Sequence, residues 1–96
     1  MSRPAAFKLR LFVAGDSQNS TRAVVNLRRL CDDHLAGRHT LEMVDVLREP
    51  DKALAARVFM TPTLVRLAPA PDVRIVGTLS QTSTVLRALG LQDCAA

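Results

Sequence analysis

Along residues 7–13, Phe7, Leu9, Leu11 and Val13 alternate with Lys8, Arg10 and Phe12. A period of two places the first set on one face of a strand, and Phe12 makes the second face partly apolar too. The period then changes. Ala23, Val24, Leu27, Leu30, Cys31 and Leu35 recur at helical spacing, with Ser17 or Asn19 placed to cap the start and Gly37 suited to the stop. Leu41, Met43, Val44 and Val46 form a second strand with Asp45 inside it. Pro50 breaks the chain, and proline is tolerated in a first helical turn, so a short helix is expected from about Asp51 to Val58.

The remaining pattern is strand-like and then helical. Thr63 to Leu67 and Val73 to Val76 read as two strands. They are joined by Ala68-Pro69-Ala70-Pro71-Asp72, a turn in which the prolines have no amide proton for a ladder. Ser80 is placed to cap a last helix carrying Val85, Leu86 and Leu89, with Gly90 as its stop. The order is β-α-β-α-β-β-α, with a parallel first pair and a terminal hairpin. That is the arrangement of a thioredoxin-like α/β domain. One domain over residues 7–91 is expected, preceded by an arm (1–6) and followed by a short tail (92–96).

Composition narrows what such a domain does. The chain has 96 residues and is 48% hydrophobic, enough for one small core. Three Phe and no Trp or Tyr leave few platforms for stacking bases, which weighs against single-stranded nucleic acid. The net charge of +4 fits an arginine-rich solvated surface or an acidic protein partner, and the arginines are scattered rather than clustered as a nucleic-acid patch. No apolar run is long enough to span a bilayer and no secretory leader is apparent, so a cytoplasmic protein with no membrane or nucleic-acid partner is expected. Cys31 and Cys94 form neither a disulfide framework nor a metal site. Cys31, on the apolar helix face, reads as a buried, inert thiol. His34 complements a helix C-terminus rather than joining a ligand cluster. Asp45 has no second carboxylate placed to work with it, so it reads as structural.

The stretch VAGDSQNSTRA, residues 13–23, is a strand-loop-helix junction, the place where small α/β proteins carry a phosphate loop or a Cys-x-x-Cys pair. Here it has one glycine and no cysteine. A thioredoxin needs a low-pKa thiolate at that helix N-terminus, and Ser17, Asn19 and Ser20 supply none. Catalytic residues, cofactors and metals are therefore not expected.

Three stretches in order, LRLFVAGDSQNSTRAV, VDVLREP and MTPTLVRLAPAPDVRIVGTLS, resemble the KaiB family of circadian-clock proteins. The resemblance runs from about Phe7 to Leu91 without a gap. It implies a non-enzymatic module that binds a KaiC-type ATPase and modulates its phosphorylation cycle and output, with KaiA or a SasA-like histidine kinase as further partners. It implies a metamorphic domain: a thioredoxin-like binding state and an alternative ground-state fold, with a homo-oligomer, dimer or tetramer, at rest. Proline isomer changes accompany that switch in the family. The residues it marks for the switch are Pro62, expected cis in the thioredoxin-like state, Pro69, Pro71, Gly77 and Thr78. Here the family's Gly-Asp is Gly77-Thr78 and its three-proline run is Pro69-Ala70-Pro71. The residues it marks for partner binding are Arg57, Arg66, Arg74 and Arg22. The runner-up reading is an adaptor or sensor domain for a histidine kinase of the SasA type. A thioredoxin-like redox enzyme ranks below both.

Overall fold

A computed structural model describes residues 7–91. The arm, the tail and Cys94 lie outside the described residues. The elements follow the expected order: β1 (Phe7–Val13), α1 (Gln18–His34), β2 (His39–Asp45), α2 (Pro50–Ala55), β3 (Thr63–Ala68), β4 (Val73–Val76) and α3 (Thr82–Ala88). They build one four-stranded mixed sheet in the order β2-β1-β3-β4. β1 runs parallel to β2 and antiparallel to β3, and β3 and β4 form the hairpin.

The alternation in β1 decides the two layers. Leu9 and Leu11 point to one face, where they meet Leu64 of β3, Ala23, Leu27, Leu30 and Cys31 of α1, and Val85, Leu86 and Leu89 at α3. Phe12 points to the other face and packs with Val44, Val65, Ala53 and Val58 beneath α2. A strand covered on both faces must be apolar on both, and β1, one of the two interior strands, carries Phe12 for that reason.

α1 starts where Ser17 accepts the Ser20 amide at 3.2 Å, so of the two expected caps Ser17 is the one used. α2 is shorter than expected. It ends at Ala55 because Arg57 takes φ +57°, a left-handed conformation that no helix continues. The last helix also begins later than expected. Its N-cap is Gln81 with no side-chain cap bond, while the Ser80 hydroxyl lies 3.4 Å from that of Thr78. Just before it the chain turns at Gly77 (φ +123°), a conformation that glycine adopts readily. Leu79 (φ +62°) then drops into the core.

Candidate functional site

The strand-loop-helix junction is closed on itself. Ser20 Oγ accepts the Ala14 amide at 3.0 Å, and Asp45 Oδ1 accepts the amides of Gly15 and Leu47, each at 3.0 Å. Asp45 is thus a structural carboxylate that ties the end of β2 to the end of β1. No cysteine stands at the junction. The Cys31 thiol lies under α1, and burial, with a smaller push from Asp32 opposed by Arg28, moves it up to about 11. At neutral pH it is protonated and shielded. Among the described residues no three His, Cys, Asp or Glu side chains stand together as a metal cluster.

The sheet register places the other features of interest at the same end of the molecule as that junction. Phe12 pairs with Thr63, and Thr63 pairs with Val76, so the end of β1, the start of β3 and the end of β4 are neighbours. Around them Arg57, Phe59, Met60, Thr63, Arg74 and Val76 line a shallow hollow of about 240 Å³. Its apolar members are uncovered: Phe59 is 79% exposed, Met60 64% and Val76 56%. Large apolar residues standing together in solvent mark an interaction surface more often than isolated ones do. None of the three was singled out from the sequence. The available signal was Val58-Phe59-Met60, three large apolar residues in a row after a helix stop, of which the core takes only Val58.

The structure separates the four arginines expected at a binding surface. Arg57 and Arg74 share this hollow. Arg22 is exposed on α1 and does not line it. Arg66 departs from the expectation: it is 8% exposed, with Nη1 donating to the Leu89 carbonyl at 2.6 Å and Nη2 to the Pro71 carbonyl at 2.8 Å. Two residues after inward-facing Leu64, Arg66 points to the same face, under α3, where it is largely internal. Among the described residues its Nε has no hydrogen-bond partner.

The residues expected to govern a change of fold also divide. Pro62 and Gly77 meet at the exposed end, the Gly77 amide donating to the Pro62 carbonyl at 3.0 Å. Thr78 is held through its carbonyl by the Asn26 side chain at 2.8 Å. Pro69 and Pro71 lie at the opposite end of the hairpin. The Thr61–Pro62, Ala68–Pro69 and Ala70–Pro71 bonds are all cis, which for Pro62 was expected.

The βαβαββα order and the mixed sheet β2-β1-β3-β4 define a thioredoxin-like fold. Solved structures agree. The N-terminal domain of Synechococcus elongatus SasA superposes with a TM-score of 0.75 at 20% identity, covering 100% of this chain and 94% of that one. Deadhead, a germline thioredoxin of Drosophila melanogaster, gives 0.71 at 15% identity, covering 88% and 81%. At the level of sequence the KaiB domain matches residues 10–91. KaiB of Prochlorococcus marinus is 40% identical over 91 residues, 95% of this chain and 76% of that protein. KaiB3 of Synechocystis sp. is 37% identical over 83 residues, 86% and 81%. The chain belongs to the KaiB family of circadian clock proteins, a family that is generally non-enzymatic.

Proposed function

We propose that this chain is a non-enzymatic binding module that docks on a KaiC-type ATPase in the cytoplasm and modulates its phosphorylation cycle and output, with KaiA or a SasA-like histidine kinase as further partners. The observation that carries this reading is the exposed rim of Phe59, Met60 and Val76, with Arg57 at its edge. A few well-packed side chains, aromatic residues and arginine prominent among them, carry most of the binding energy at protein interfaces. The resemblance to the KaiB family supplies the partner class, and the junction presents no cysteine to a partner.

The test is binding of the host's KaiC-type ATPase to wild type and to Phe59→Ala, Met60→Ala and Arg57→Glu variants. Truncating an interface hot spot costs roughly 2 kcal/mol or more, a weakening of about 30-fold. Folded variants that bind as wild type does would remove this rim from the interface. Recovery of a histidine kinase and no KaiC-type ATPase from the host would favour the adaptor reading. Turnover in an insulin-reduction assay would restore the redox reading.

A further inference from the structure

Both short helices end in the same way. In α2 the Val58 amide donates to the Ala53 carbonyl at 2.9 Å and the Arg57 amide to that of Leu54 at 3.0 Å. In α3 the Leu91 amide donates to the Leu86 carbonyl at 2.8 Å and the Gly90 amide to that of Arg87 at 3.1 Å. Each pair of bonds makes a Schellman motif, whose next residue must be left-handed and is most often glycine. In α3 it is Gly90, at φ +83°. In α2 it is Arg57, a residue whose Cβ makes that conformation costly.

The hairpin supplies a compensation. Arg74 of β4 stands opposite Val65 on the α2 face, and its guanidinium donates to the carbonyls of both Ala56 and Arg57, the latter at 3.0 Å. Those are the two carbonyls on either side of the left-handed residue. We propose that Arg74 is a positioning residue for the docking loop: by bridging these carbonyls it holds Arg57 left-handed and so turns Phe59 and Met60 out to solvent. Arg74 then acts on a partner through the loop and not as a contact charge. The binding consequence rests on the docking reading above; the effect on the loop does not.

The test has two arms, with Arg74→Met, Arg74→Lys, Arg57→Gly and the Arg74→Met/Arg57→Gly double variant of the full chain. In the free protein, hydrogen exchange at the Arg57 and Val58 amides is expected to speed up about tenfold in Arg74→Met, with β1 amides unchanged. Glycine adopts the turn without the bridge, so the same Arg74→Met change made on Arg57→Gly is expected to have a much smaller effect, a non-additivity that marks coupling. In the binding arm, with the host's KaiC-type ATPase as probe, Arg74→Lys and Arg74→Met are expected to weaken affinity alike, because lysine keeps the charge but not the planar two-point fork. Unchanged exchange in Arg74→Met, additive exchange effects, or full affinity in Arg74→Lys alongside loss in Arg74→Met would each overturn the proposal. If wild type binds no such ATPase, the docking reading fails while the exchange arm still decides this one.

Discussion

The two halves of this small domain are held by different means. In β1-α1-β2 a 17-residue helix with a side-chain cap lies along β1, and Ala23, Leu27, Leu30, Cys31 and Leu35 form one buried stripe of the core. In α2-β3-β4-α3 the helices have six and seven residues, neither has a side-chain N-cap bond, and each is clasped at its C-terminus by an arginine from the hairpin. Arg74 serves the helix on one face of the sheet and Arg66 the helix on the other. The first half is specified by apolar periodicity. The second shares that core through Leu64, Val85, Leu86 and Leu89, and adds to it a few polar contacts from the hairpin to backbone carbonyls. Short helices are marginal by themselves, so such contacts weigh more there.

The largest expected effect tests the first half. Leu27 is fully buried against β1, and Leu27→Ala removes its side chain from the shared core. Urea unfolding is expected to show a loss of about 2–5 kcal/mol, with all elements unfolding together. A loss below about 1 kcal/mol, out of line with core truncations of this kind, would erase the contrast between the halves.

Arg66→Ala tests the second half. It leaves the Leu89 and Pro71 carbonyls without a protein donor, a cost of about 1–3 kcal/mol per group that stays dry. The expected signature is local: faster hydrogen exchange in α3 while α1 stays protected. Arg66→Met is expected to be milder, since an apolar side chain of similar length fills the site without a charge to desolvate. Equal exchange in α1 and α3 would mean that the halves are not separable.

The same division explains what could be read in advance. Element order, the parallel and antiparallel pairs and the buried Cys31 follow from spacing, because period and burial are linked along one segment. The role of Arg66 was hidden: it sits at an inward position of β3, but its partners, Leu89 and Pro71, come from other segments. Arg74 was hidden likewise, since its acceptors are carbonyls that every residue has. Polar contacts to backbone leave no side-chain pattern. The exposed Phe59 and Met60 were legible in principle, as a surplus of apolar residues that one strand start cannot bury.

A smaller effect is expected at Ser17, whose hydroxyl oxygen accepts the Ser20 amide. Ser17→Ala is expected to cost about 1 kcal/mol in urea unfolding, the usual worth of an N-cap. Because α1 also has its packed stripe, the helix should survive the loss. Fraying of all of α1 in hydrogen exchange would show that its first turn matters more than its apolar face.

The smallest effect joins the halves. Glu42 on β2 accepts from Arg10 Nε of β1 at 2.8 Å and from Lys52 Nζ of α2 at 3.3 Å, and Lys52 also meets Glu49 at 3.1 Å. The bond from Arg10, then that from Lys52, hold the Glu42 carboxyl below its ordinary range. Bonds from Glu49 and then Glu42 hold the Lys52 ammonium above its own. A lowered carboxyl favours the folded state above its unfolded value, near 4.3, and that contribution fades as pH falls through the lowered folded value. A raised ammonium contributes below its unfolded value, near 10.4, and is lost as pH rises through the raised one. Between those limits both act. Wild type should therefore exceed Glu42→Gln slightly in urea midpoint at pH 7, converge with it in acid, and approach it in about 1 M salt, where exposed charges are screened. A gap that persists in acid would assign it to the shape of the side chain and not its charge, and the ionic link between the first half and α2 would then carry no weight.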